Sequence, residues 1–129
     1  MDNKINVPIF VESRYKINRK RIKKAVVDLL SKQEVTGEIE VSIAVVGDRK
    51  MRELSKKYKN EDKTRSILSF SQTEGELIES PRNVLRLGDI VLSFPQIIND
   101  AAKEEKLVDD KVDELVEHGL LHLLGIHHD

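Results

Sequence analysis

The stretch VDDKVDELVEHGLLHLLGIHHD, residues 108–129, holds all four histidines of the chain. Val112, Leu115, Val116, Gly119, Leu120 and Leu123 recur with the period of a helix that buries one face, so a helix is expected over about 108–124. His118 and His122 are four residues apart, which puts their rings one turn apart on one face. Gly125 is a natural helix stop. A third imidazole, from His127 or His128, follows as the chain turns back. Two ligands from a helix and one from the segment after it can surround a single ion. Three protein ligands leave a fourth position open, as catalytic zinc sites do. A tag remnant would not place two histidines inside a periodic helix.

The spacing His-x3-His-x5-His, ending at His128, is that of the extended zinc-protease motif, and Gly125 occupies that motif's glycine position. Zinc peptidases carry a glutamate as general base directly after the first histidine. Here that residue is Gly119. Glu117 lies on the other side of His118 and points roughly 100° around the helix, a poor substitute. The pattern is a metal site without the peptidase base. A glycine at that position predicts extra room beside the ion.

Upstream, Ile5, Val7, Ile9 and Val11 alternate as in a strand, and Pro8 pushes that strand to a sheet edge. Asn18 is placed to cap a helix through Lys32, with Ile22, Ala25, Val26, Leu29 and Leu30 inward. Its first turns carry Arg19, Lys20, Arg21, Lys23 and Lys24, which oppose the helix dipole. After Gly37, Ile39 to Val46 alternates as a strand. Asp48 is expected to cap a short helix to about Lys57, with Met51, Leu54 and Tyr58 as its buried stripe. A charged loop, 59–65, precedes a strand at Ile67–Phe70. Gly75 to Asn83, with Pro81, reads as a loop. Val84 to Leu92 is another strand, and Gly88 within it signals a bulge or a close backbone approach. Ser93 opens a helix with Pro95 in its first turn, and a break is expected between 103 and 110. No repeat or linker appears, so one α+β domain over 1–129 accounts for the chain.

The chain has 39% hydrophobic and 35% charged residues and no cysteine. That describes a protein with a heavily charged surface, and the lack of cysteine fits a reducing compartment. No signal peptide or membrane span is visible, so a cytoplasmic location is expected. The net charge of −1 hides an asymmetry: residues 1–70 carry 17 Lys+Arg against 10 Asp+Glu, and residues 71–129 carry 5 against 13. The basic half offers a phosphate-facing surface if it folds onto one side; otherwise it forms solvated helix faces.

The tail, read as His118-Gly-x-Leu-His122-Leu-x-Gly125-x-x-His128, resembles the signature of the YbeY family of rRNA maturation factors. Leu54-x3-Tyr58, then 67–70 (ILSF) and 87–90 (LGDI), resemble that family's internal blocks in order and spacing. The resemblance covers most of the chain from the second strand onward. It implies a small mixed sheet, four-stranded on the strands read above, packed with four to five helices, the last carrying the histidines. It implies His118, His122 and His128 as ligands of one Zn2+ per chain. It also implies endonucleolytic cleavage of single-stranded rRNA, in 16S rRNA 3′-end maturation and ribosome quality control. The implied partners are the small ribosomal subunit and its assembly factors, with no membrane and no DNA. The chain departs from the family pattern at Lys59, where an arginine is usual, and at Arg65-Ser66, where Thr-Asp is usual. Ser71 replaces a common proline, and Ile126-His127 replaces an aromatic-Asp pair.

On this reading Lys59 offsets charge at the phosphate, with Arg65 a candidate to supply the guanidinium that Lys59 lacks. Arg19, Arg21 and Lys24 on the first helix, with the basic segment Arg49–Lys57, are the candidate RNA-backbone surface. Aromatic residues make up only 4% of the chain, so salt-sensitive backbone contacts are expected over base stacking. Two other readings are a zinc-stabilised assembly factor that cuts little and a different zinc hydrolase such as a peptidase.

Overall fold

The computed structural model describes residues 4–12, 14–71 and 84–126. The elements run β1 (Ile5–Asn6), β2 (Ile9–Val11), α1 (Arg19–Lys32), β3 (Glu38–Val46), α2 (Asp48–Lys59), β4 (Ile67–Ser71), β5 (Val84–Ser93), α3 (Phe94–Lys103) and α4 (Val108–Leu123). Among the described residues this is a mixed sheet of five strands with four helices. The loop expected at 75–83 lies outside them.

The sheet order is β1-β3-β5-β4, with β2 also paired to β3. β3 runs parallel to β1, β2 and β5, and β4 is antiparallel to β5. The fifth strand arises because the expected N-terminal strand is split. Ile5 pairs with Ile39 and Ile9 with Ile43, one unbroken register. The carbonyl of Pro8 accepts from the Ile43 N–H at 3.0 Å, but proline has no N–H to return, so the ladder loses a rung there. As expected of a proline-bearing strand, it lies at the sheet edge.

Strand alternation assigns the two faces. Val41, Ile43 and Val45 of β3 join Ile90 and Leu92 of β5 in the main core, under Ile22, Val26 and Leu30 of α1 and Val112, Val116 and Leu120 of α4. The opposite face carries Val46, Leu68 and Val91, covered by Met51 of α2, with Leu54 and Phe70 beside them. Helices α1 and α4 therefore share one face, and α2 sits on the other.

The helix starts follow capping chemistry. The Asn18 side chain accepts from the Arg21 N–H at 3.0 Å, and Ser93 caps α3 with proline in the first turn. At α2 the cap is Gly47, one residue before the expected Asp48. Glu12, just past β2, accepts the Gly47 N–H at 3.0 Å. Asp48 Oδ1 is occupied elsewhere: it accepts from Thr64 Oγ1 at 3.0 Å, Ser93 Oγ at 2.9 Å and Gln96 Nε2 at 3.1 Å. The carboxylate thereby ties α2 to the segment before β4 and to the start of α3. Tyr58, expected in the buried stripe, is 54% exposed. It lies in the last turn of α2, beyond the core, and meets the Phe70 ring edge-on at 5.1 Å.

Candidate functional site

Helix α4 begins with Asp109 and Asp110 in its first turn, which suits the positive end of the dipole. Its apolar stripe is buried against the sheet and α1. His118 falls on the exposed side of that stripe and His122 at its half-buried margin, facing β4. There the Ser69 hydroxyl oxygen lies 2.6 Å from His122 Nδ1. The helix then ends as its glycine implied. Gly125 takes φ +78°, its N–H bonds the His122 carbonyl at 3.0 Å, and the Ile126 N–H bonds the Leu121 carbonyl at 2.9 Å. This pair of bonds is a Schellman stop. It ends the helix within three residues of His122, with one of its bonds made to the His122 carbonyl. His127 and His128 lie outside the described residues.

Gly119 corrects one expectation. The glycine leaves no extra room: it is buried, and a Cβ there would meet Ile67 Cδ1 at 2.9 Å and Ile90 Cδ1 and Cγ2 at 3.3 Å. Glycine lets α4 approach β4 and β5 closely, and that approach brings His122 to Ser69. A glutamate would have to enter this apolar contact, so the position that holds the general base in zinc peptidases faces the sheet. Gly88, at φ +142°, fills a parallel need. A Cβ there would meet the Phe70 carbonyl oxygen at 2.1 Å and Leu123 Cδ2 at 3.0 Å. The register of β5 against β3 also shifts at this point, between Glu40 and Val41, so both readings of the glycine hold: a bulge and a close approach.

The candidate cations are dispersed. The Lys59 ammonium sits 5.8 Å from the centre of the Phe70 ring. Phe70 and Ser69 are successive strand residues and point to opposite faces. Lys59 and His122 therefore reach the edge strand β4 from opposite sides. Arg65 donates to Glu61 at 2.7 Å, and the Glu61 carboxyl is held below its ordinary range by Lys63 first and then by Arg65. Arg21 is clamped between Asp113 at 2.6 Å and Asp110 at 2.5 Å, which raise its pKa, Asp113 most. Lys24 pairs with Asp28 at 2.7 Å, and Arg19 donates to the Ile9 carbonyl at 2.7 Å. On α2, Arg49, Lys50, Lys56 and Lys57 are exposed.

Among the described residues no three His, Cys, Asp or Glu side chains converge on one point. The donor chemistry of the pair that is described suits an ion that prefers nitrogen. Both groups are imidazoles on one helix face, and Ser69 lies against Nδ1 of His122. Ser69 escaped the sequence reading, although it carries a signal. It shares a strand face with Ile67, which packs on the main core, and a hydroxyl on a core-facing strand position opposite a histidine helix calls for a polar partner. Among the described residues, no helix is long and apolar enough to cross a membrane.

Comparisons with known proteins place the chain in a family. The model of the family described as "Endoribonuclease YbeY" matches residues 9–129. An Endoribonuclease YbeY of Syntrophus aciditrophicus is 34% identical over 92% of this chain and 72% of its own length. One of Roseiflexus castenholzii is 30% identical over 99% and 82%. Two others, of Thermodesulfovibrio yellowstonii and Anaeromyxobacter, are matched over 54% and 44% of their own lengths. A solution structure from Thermotoga maritima has a TM-score of 0.62 at 21% identity, covering 95% of this chain and 75% of that one, a likeness of fold. With the family model spanning all but the first eight residues, and the helix, its stop and the close-packed glycines where that pattern needs them, the chain belongs to the Endoribonuclease YbeY family.

Proposed function

We propose that this chain is a zinc-dependent endoribonuclease that cleaves single-stranded rRNA, acting in 16S rRNA 3′-end maturation and ribosome quality control. The observation that carries the reading is the imidazole pair on one face of α4, with His122 held from β4 by Ser69. His118, His122 and His128 hold one Zn2+ per chain. The ion, when bound, supplies Lewis-acid polarisation and lowers the pKa of a ligated water toward ~7. The chain's own residues do the rest. Gly119 keeps α4 against the sheet, so His118 and His122 are presented at the β4 edge. Lys59, on the other side of that edge, offsets phosphate charge for an RNA strand that crosses it. The exposed cations of α2 hold the backbone on Lys59's side. Arg19 adds to the basic surface at α1. Arg21 and Lys24 contribute less, because aspartates already engage them. The protein acts as one domain in the cytoplasm, with the small ribosomal subunit and its assembly factors as partners.

The test is cleavage of a labelled single-stranded RNA by the wild type, by chelator-treated protein and by His122→Ala. Activity is expected only in the first, and equal activity in all three would sink the proposal. A second reading is favoured by the position of Lys59 across β4 from His122: a zinc-stabilised assembly factor with little cleavage. Co-sedimentation with small subunits by a preparation inactive on RNA would support it.

A further inference from the structure

We propose that Ser69 is a positioning residue for the metal centre: its hydroxyl accepts from Nδ1–H of His122 and so fixes the ring tautomer that presents Nε2 to the ion. This rests on the zinc reading above and goes beyond it by assigning a residue outside the ligand set.

Ser69 Oγ lies 2.6 Å from His122 Nδ1. A neutral imidazole has one N–H and one lone pair, and whatever bonds one nitrogen determines what the other can do. If the serine donated to Nδ1, the proton would sit on Nε2 and block coordination there. If Nδ1–H donates to the serine, Nε2 carries the lone pair. The hydroxyl can accept because it is half-buried at an edge strand, so its own proton has water to bond. Metal-bound histidines usually donate their second N–H to a fixed acceptor, and loss of that acceptor typically costs 10–100-fold in metal affinity.

The two partners are brought together by packing. Ser69 is two residues after Ile67 on the same strand face, and Ile67 is the side chain nearest Gly119. Ser69 pairs across the ladder with Ile90, which lies against the other side of that glycine. The contact that excludes a side chain at 119 thus sets the distance at which Ser69 meets His122, one helical turn later.

The test compares wild type, Ser69→Ala, Ser69→Thr and His118→Ala. Zinc affinity is measured by competition with a chromophoric chelator, and the tautomer of His122 by long-range proton–nitrogen correlation on zinc-free protein. In Ser69→Ala, zinc binding is expected to weaken about 10–100-fold, with the ring population moving toward Nε2–H and little change in melting temperature. Ser69→Thr keeps the hydroxyl on a strand-favouring residue and is expected to stay within about threefold of wild type in zinc affinity. Ser69→Ala with unchanged affinity and tautomer would overturn the assignment. So would equal weakening in the alanine and threonine variants, since the hydroxyl would then not be what matters. Failure of the zinc reading looks different: wild type and His118→Ala would both take up no zinc, while the tautomer in zinc-free wild type and Ser69→Ala still decides what Ser69 does to the ring.

Discussion

Gly119 does two jobs with one missing atom. Its contact with Ile67 and Ile90 brings α4 down on the sheet, and the same contact rules out the acidic side chain that would make the site a peptidase. Size should therefore matter at this position more than helix propensity. Alanine gains roughly 1 kcal/mol of propensity over glycine and displaces only the flexible tip of Ile67, although Ile90 behind it is fully buried. Gly119→Ala is expected to change stability by less than about 1 kcal/mol. Gly119→Glu is expected to destabilise by ~3 kcal/mol or more, because it overpacks the contact and buries a charge. Chemical denaturation of both variants checks this, and a stable Gly119→Glu protein would contradict the packing account. The sequence exposed this residue as a departure from the peptidase pattern but not its surroundings. Which side chains meet a helical glycine depends on strands some 30 and 50 residues earlier in the chain, and local spacing carries no record of them.

At the level of elements, helix periods, caps and strand alternation could be read because each depends on neighbours in sequence. Asn18, Ser93 and Gly125 do what their types favour. Structure and local pattern part where a distant partner intervenes. Asp48 gave up its capping role because Thr64, Ser93 and Gln96 claim its carboxylate. Tyr58 kept the period of α2 but ran past the core. The α3–α4 junction shows another such interaction. Lys111, only 6% exposed, reaches Glu104 at 2.8 Å and Glu114 at 2.6 Å. The Glu104 carboxyl is held below its ordinary value of 4.5 by Lys111 and then Lys106, and Glu114 by Lys106 and then Lys111. A carboxyl whose folded pKa is lowered adds stability that is present above its unfolded value and is lost as the pH falls through the folded one. Acid should therefore loosen this junction below about pH 4.5. The fall in melting temperature between pH 7 and pH 3 is expected to be smaller in Lys111→Met than in wild type. An unchanged fall would show that the junction carries no such linkage.

Across the whole molecule, the charge asymmetry of the sequence is partly spent internally. Arg21 of the basic half holds Asp110 and Asp113 of the acidic half, binding α1 to α4. Basic side chains stay turned to solvent on α2, at Arg49, Lys50, Lys56 and Lys57, and on α1, at Arg19, Lys20 and Lys23. RNA binding by the wild type should weaken linearly with the logarithm of salt concentration. Charge removal at Arg49 and Lys56 is expected to lower the slope by about 0.7 for each phosphate of the single strand no longer neutralised, whereas Arg21→Gln should cost folding stability with little change in slope. A slope that responds to Arg21 and not to α2 would move the RNA surface to α1. The family was legible from the tail and three short internal blocks because their spacing is local in sequence. The opposed approach of Lys59 and His122 to β4 was not, because strand alternation separates them only once the edge strand is known.

The central strand has a consequence for how quickly this protein reaches its native state. β3 finds no neighbour nearby in the chain: Ile5 pairs with Ile39, and Ile39 with Leu85, 34 and 46 residues apart. Both ladders are parallel, so loop-closure entropy must be spent before either begins to reward it. Ser71 and Gly88, which pair across β4 and β5, are only 17 residues apart, so that antiparallel ladder is the cheapest to close. It is also the one held tight at Gly88, where a side chain would strike the Phe70 carbonyl. A nascent chain that fails at this glycine loses its most accessible starting point, and its remaining strands stay longer in the unpaired state from which aggregation proceeds.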